Sequence, residues 1–432
     1  MKFFSLAILF SLTGCAYLTT KFEAMTEKKN DKVTTISNKI NYCPANSKVQ
    51  FISEDEFSLK FYKSLNPAIY ENKNISFIEK SIMLSLLEMS RRPDEASPYS
   101  RLQVYVKLNG KNYYYDFRPK NLADDTKMPF LKGLDFLTQK FIPNKSLLSI
   151  ATNLDNVIPK GIGVSLEFEH FLKENRAYIT KNEFLTERFF KGDENLTKYE
   201  TFDRISYRST VEQYLSAFSK TSDYEYEKNG LTANKSKKEN FEVNCNYDLA
   251  KETTLRDEIM SADQKKSHYI AHSEGEDFFL AVTSNTLFRP FKTTPKMSYF
   301  MKARPAAFPL PICEFKGKNQ EIVLFSSEGR NPLQHLQHLE AYEIDQVDSA
   351  FTLNELLGFS RHLFLSNPDR ILYESKRGRK AQLDFFLEMN FPIYHVDSLG
   401  NIFGHAKFKT DKKQESVLYS DDRSSARLWC KE

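Results

Sequence analysis

Glycine is scarce in this chain, 14 of 432 residues, or about 3%, less than half the usual share. That scarcity speaks against glycine-paced propeller blades, a collagen-like chain or a dinucleotide fold built on a Gly-rich turn. No pair of cysteines stands in a CxxC spacing, which argues against a zinc ribbon or a thioredoxin-like centre. Beyond the first twenty positions no run of 18 apolar residues occurs, so a bundle of transmembrane helices is excluded. Charge of one sign is missing too: 61 Lys+Arg against 57 Asp+Glu leaves a net +4, which predicts neither a nucleic acid nor an acidic partner. What remains is an ordinary globular composition, 41% hydrophobic and 27% charged, long enough for two or three domains with real cores.

The first stretch with content is the N-terminus, MKFFSLAILFSLTGC. One basic residue, Lys2, precedes an apolar run from Phe3 to Leu12 and then small residues, the pattern of a secretory signal over residues 1–14 that is too short to anchor in a bilayer. Leu12-Thr13-Gly14-Cys15 closely resembles the lipobox of bacterial lipoproteins. The resemblance implies that Cys15 is acylated on sulfur and, after cleavage, on its amine, so that the partner is a membrane reached through an N-terminal lipid anchor. Ala16 then favours the outer membrane of a bacterial cell envelope, facing the periplasm or the cell surface. Setting Cys15 aside leaves Cys43, Cys245, Cys313 and Cys430, an even number in an oxidising compartment and hence candidates for two disulfides. Four cysteines allow three pairings, and the sequence does not choose among them.

Four segments are expected: the signal at 1–14, a lipidated polar tether at 15–42, an α+β region at 43–315 and an α/β domain at 316–432. In the middle region Ile78, Ile82, Met83, Leu86 and Leu87 have helical spacing, while Leu102, Val104 and Val106 alternate ahead of an Asn109-Gly110 turn, predicting a helix and a hairpin. The polar stretch around 220–240 reads as a loop, Phe278–Val282 as a buried strand, and Pro305–Pro311 as a connector. After the connector the expected order is a strand 321–326, a helix 332–341, a strand 344–351, a helix 353–362, a strand 370–373, a helix 379–389 and strands at 393–396, 403–408 and 417–419. That alternation predicts an α/β layer structure.

The C-terminal segment carries His405-Ala406-Lys407, then Asp411, then Val417-Leu418-Tyr419-Ser420-Asp421-Asp422. It resembles the phospholipase D superfamily, whose motif is HxK followed by Asp and a short strand ending Gly-Ser-x-Asn. The resemblance implies a phosphodiesterase acting on phospholipid or nucleic acid, with His405 as nucleophile forming a phosphohistidine, Lys407 as phosphate clamp, Asp411 in support, and Ser420 and Asp422 at the substrate. It implies no metal and no cofactor. The strand pleat puts His405 and Lys407 on one face and Ala406 and Phe408 on the other, and an imidazole beside fixed cations suits a phosphodiester. Only one HxK is present, so the resemblance further implies a homodimer or a second lobe without the motif. The alternative is a noncatalytic binding or scaffold lipoprotein that keeps the fold for its surface.

Other constellations have simpler expectations. His268 and His272, with Glu274, Glu276 and Asp277 nearby, lack the Glu that a zinc-hydrolase helix requires, and His335 and His338 read as helix-face residues. The basic run Lys376-Arg377-Gly378-Arg379-Lys380 reads as a solvated face that could also hold headgroups or a nucleic-acid backbone. Ser326-Ser327-Glu328-Gly329 is not a nucleophile elbow.

Overall fold

A computed structural model describes residues 41–432, apart from 45, 54–71, 73, 123–125, 199, 219–223, 226–230, 235–239, 248–265, 291–302, 307–308, 328–331, 342, 366–368, 378–379, 410–413, 425 and 432. Two antiparallel sheets lie face to face with helices on both outer sides. The first sheet, eight-stranded, runs Arg427–Lys431, Val49–Ser53, Lys266–Glu274, Asp277–Pro290, Arg101–Leu108, Lys111–Pro119 and Tyr224–Glu225, with Ala303–Pro305 added against Asp277–Pro290. The second, six-stranded, runs Gln414–Ser420, Asn401–Lys409, Gln320–Ser327, Ile312–Lys316, Glu242–Cys245 and Thr232–Asn234.

Strand alternation explains the layering. Leu102, Val104 and Val106 of the first sheet face the helices Phe77–Arg91, Pro129–Phe141, Leu147–Val157 and Tyr207–Phe218, forming one core. Ile322, Leu324, Ala406 and Phe408 of the second sheet face the helices Pro332–Ala341 and Ala350–Gly358, forming another. Between the sheets Tyr105, Tyr269, Phe278, Val282, Val323, Phe325 and Phe403 close a third core. The helix Phe77–Arg91 is buried from Ile78 to Arg91, polar and charged positions included. Its charges are absorbed by ion pairs, Lys80 with Glu274 at 2.8 Å and Glu79 with Lys145 at 2.5 Å. Gly133 lets the helix Pro129–Phe141 sit close on the sheet, since a Cβ there would lie 2.7 Å from Leu102 and Phe117.

The mixed α/β and α+β class expected from the sequence is the class observed, but the chain is not divided as expected. The boundary placed between 315 and 316 falls inside the strand Ile312–Lys316, which pairs with Glu242–Cys245 on one side and Gln320–Ser327 on the other. The C-terminal strand Arg427–Lys431 crosses to the first sheet and pairs with Val49–Ser53. Backbone pairing across the boundary therefore makes residues 316–432 part of the shared sandwich rather than a separate layer domain. Disulfides reinforce both junctions: Cys245 and Cys313 are opposite one another in the second sheet, and Cys43 is joined to Cys430, 387 residues away.

Most C-terminal elements fall where expected, with one reversal. The segment expected as a strand at 344–351 is a 3-10 turn, Ile344–Gln346, followed by a helix from Ala350. Ser349 and Thr352 form a reciprocal capping box there, which satisfies the first backbone donors and starts the helix. The expected loop around 220–240 supplies the short strands Tyr224–Glu225 and Thr232–Asn234.

Candidate functional site

The space between the sheets changes character from one end to the other. In the middle, Tyr269 stacks on Phe403 at 3.8 Å and packs near Phe325 at 6.2 Å. Two residues further along the same faces, the side chains become small and polar: Ser267, Ser284 and Ser327, with Asn401 opposite Ser327 and Arg101 opposite Ser284. All five are buried. Ser267 and Ser284 are themselves cross-strand partners.

Arg101 closes this end on one side. Its Nε lies 2.7 Å from Asp116 Oδ1, its second donor meets Asp116 Oδ2, and Nη1 donates to the Ala306 carbonyl at 3.1 Å. The Ala306 amide donates in turn to the Ser284 carbonyl at 3.1 Å. Burial works against the Arg101 charge, but the Asp116 carboxylate outweighs it and holds the guanidinium above its ordinary pKa. Arg101 is thus a bolt between the strand Arg101–Leu108 and the segment after Pro305. The hydroxyls of Ser284 and Ser327 are buried and have no hydrogen-bond partner. Such an orphaned hydroxyl costs about 1–3 kcal/mol, so the two at this end of the inter-sheet space are candidates for a partner outside the chain.

Behind Ser284, on the helix side of the same strands, His268 Nε2 lies 2.5 Å from Glu88 and Nδ1 3.7 Å from Glu95. Arg92 bridges Asp94 at 3.1 Å and Glu95 at 2.7 Å. Thr283 Oγ1 and Asn285 Nδ2 both donate to the Glu95 carbonyl at 2.9 Å, so this buried charge cluster fixes the strand end that carries Ser284. His268 and His272 lie on a strand and not on a helix. Four residues of strand span roughly 13 Å, and His272 meets Ser81 at 2.9 Å and Glu274 at 3.3 Å instead. Among the described residues no group of three or more His, Cys, Asp or Glu is placed to hold a metal.

The residues singled out by the phospholipase D resemblance are dispersed. His405 is at the opposite end of the inter-sheet gap, 1% exposed, stacked on Phe278 at 4.7 Å, with Nε2 2.8 Å from Ser416 Oγ. Burial lowers its pKa to about 3. Lys407 is paired with Glu276 at 2.8 Å. The pleat does place both on one face, but that face is the sandwich interior. Ser420 is buried beside Phe403 in the register, and Asp422 is chelated by Arg377 at 2.9 and 3.1 Å. Arg377 therefore belongs to a buried ion cluster with Asp421, Arg423, Glu374 and Arg361, and not to a solvated basic face. Lys376 is paired with Asp397 at 2.7 Å. Asp411 and Cys15, with the whole segment 1–40, lie outside the described residues.

Serine-lined strand ends escaped the sequence reading because the signal is weak. In each strand the apolar alternation simply continues into a serine, Tyr269 to Ser267, Val282 to Ser284, Phe325 to Ser327. Register within each sheet, together with the Tyr269–Phe403 and Tyr269–Phe325 contacts between the sheets, puts all three toward one end.

No protein-family model and no curated protein sequence matches the chain. Solved structures do. A cephalosporin acylase from Bacillus halodurans superimposes with a TM-score of 0.62 at 9% identity, covering 92% of this chain and 97% of that one. A protein designated LmbA2991HD superimposes with a TM-score of 0.59 at 8% identity, covering 89% and 98%. The fold match overturns the phospholipase D resemblance and the phosphodiesterase reading that rested on it, and the lipoprotein resemblance finds no support in any family model or curated sequence. At such low identity the likeness concerns the fold alone. The chain shares the two-sheet, helix-flanked fold of that acylase over 92% of its length.

Proposed function

We propose that this protein acts on the amide bond of an acylated amine or peptide, bound at the serine-lined end of the inter-sheet gap. The observation that carries the reading is the pair of buried, unpartnered hydroxyls of Ser284 and Ser327 near Ser267, in a fold that an acylase shares over 92% of this chain. Hydroxyls that have no partner in the protein suit the carbonyl and N–H of an amide. In turnover one hydroxyl adds to the amide carbonyl, the C–N bond breaks as the amine leaves with a proton, and water then releases the acid. Donors around the gap would stabilise the oxyanion.

One observation favours a second reading, recognition without turnover. Among the described residues no histidine, lysine or carboxylate hydrogen-bonds the hydroxyl of Ser267, Ser284 or Ser327, whereas an activated serine needs a base within reach. Release of p-nitroaniline from a panel of acyl p-nitroanilides separates the two. Hydrolysis abolished by Ser267→Ala, Ser284→Ala or Ser327→Ala establishes the amidase and names the nucleophile. Saturable binding of the same compounds without release establishes the second reading. Neither hydrolysis nor binding by the folded protein rejects both.

A further inference from the structure

On the far side of the first sheet four aromatic rings have their centroids within 6.0 Å of one ammonium group. Tyr113 and Tyr115 alternate on the strand Lys111–Pro119, so both project toward the helices, and their rings lie nearly parallel at 6.4 Å with 9° between planes. The helix Pro129–Phe141 adds two walls. Phe141 stands edge-on to Tyr113 at 5.2 Å and 73°, and Phe136 edge-on to Tyr115 at 5.2 Å and 64°. Into this space the same helix sends Lys140, whose Nζ is 5.6 Å from the centroids of both Tyr113 and Tyr115, 5.9 Å from Phe136 and 6.0 Å from Phe141.

Among the described residues no carboxylate forms an ion pair with Lys140, so ring quadrupoles stand where an anion usually would. A cation is attracted to a ring face within about 6 Å of its centroid, and here four rings meet that distance at once. A primary ammonium is a strongly hydrated point charge, so it is a poor occupant for such a space. A quaternary ammonium has no N–H to satisfy and presents methyl groups to the rings, which is the chemistry aromatic cages recognise. Lys140 sits on a flexible four-carbon stem in an exposed residue, free to swing out.

We propose that Tyr113, Tyr115, Phe136 and Phe141 form a binding site for a quaternary ammonium group, with Lys140 as the resident cation that the ligand displaces. The site lies on the helix-covered face of the sheet and is independent of the amide-directed reading.

Ligand-observed NMR with tetramethylammonium and choline on the full chain tests the assignment. Lys140→Ala removes the competitor and binds about tenfold more tightly than the unmodified protein. Tyr113→Ala, at a half-buried ring, abolishes binding, and Tyr113→Phe retains it. The neutral choline isostere 3,3-dimethyl-1-butanol does not bind, which separates ring–cation attraction from simple apolar contact. Co-sedimentation with phosphatidylcholine vesicles, lost in Tyr113→Ala, would identify the source as a lipid headgroup, and binding of free choline alone a soluble amine. No binding by folded Lys140→Ala, or equal binding of the neutral isostere, overturns the proposal. Equal affinity of Lys140→Ala and the unmodified protein overturns the resident-cation role.

Discussion

His405 Nε2 and Ser416 Oγ are 2.8 Å apart, and Ser416 Oγ lies 3.0 Å from the Gly275 carbonyl. The serine has one proton and gives it to that carbonyl, so the imidazole must be the donor in the first contact. His405 is thereby a neutral strut between the sheets, stacked on Phe278, with no nucleophilic nitrogen turned toward an open site. His405→Ala should lower stability by about 2–4 kcal/mol through the cavity it leaves, read from urea unfolding midpoints. Bis-p-nitrophenyl phosphate should not be turned over by the unmodified protein; turnover lost in His405→Ala would restore the phosphodiesterase reading.

The Cys43–Cys430 bridge ties the first described strands to the last across 387 residues. Non-reducing peptide mapping should recover Cys43 with Cys430 and Cys245 with Cys313, and a crossed pairing would contradict the sheet register. Replacing Cys43 and Cys430 together by serine should cost about 2–5 kcal/mol, because the loop it closes is nearly the whole chain.

Two glycines are required by close approach. A Cβ at Gly404 would overlap the Val323 carbonyl oxygen, and one at Gly133 would lie 2.7 Å from Leu102 and Phe117. Gly404→Ala and Gly133→Ala should each destabilise by about 1–3 kcal/mol through overpacking, whereas Gly358→Ala, with nothing within 4 Å, should be nearly neutral. Thermal midpoints of the three variants provide the comparison.

His338 is stacked on His362 at 4.3 Å, and His335 and His338 line a cavity of about 20 Å³ that Arg361 also touches. Burial lowers His338 to about 4 and His362 to about 3, and burial with the Arg361 charge pushes His335 well below its ordinary value. Folded pKa values below the unfolded one mean that the unfolded chain takes up protons first. Stability should therefore be flat above about pH 6.5 and fall as the pH drops toward 4, by roughly 1.4 kcal/mol per pH unit for each imidazole. Urea midpoints at pH 7, 5.5 and 4.5 should show this slope, shallower in His362→Gln; a slope unchanged by that substitution would place the acid sensitivity elsewhere.

Local structure was legible in the residues because it depends on local physics. The spacing of Ile78, Ile82, Met83, Leu86 and Leu87 marked a helix, the alternation at Leu102, Val104 and Val106 with Asn109-Gly110 marked a hairpin, and both are present. The face assignment of His405 and Lys407 followed from the pleat. What that face meets did not. Whether it looks onto solvent or onto a second sheet depends on strands hundreds of residues away, since the sandwich is assembled from Val49–Ser53, Arg101–Leu108, Lys266–Glu274 and Arg427–Lys431 in an order no local pattern encodes. Long-range pairing turned an apparent phosphate site into a buried strut, joined Cys43 to Cys430, and brought Ser267, Ser284 and Ser327 to one end of one gap. Composition, periodicity and turn residues set most of the elements by themselves; the site was decided by register between distant strands, because a side chain's neighbours across a sheet are fixed by hydrogen-bond pairing and not by proximity along the chain.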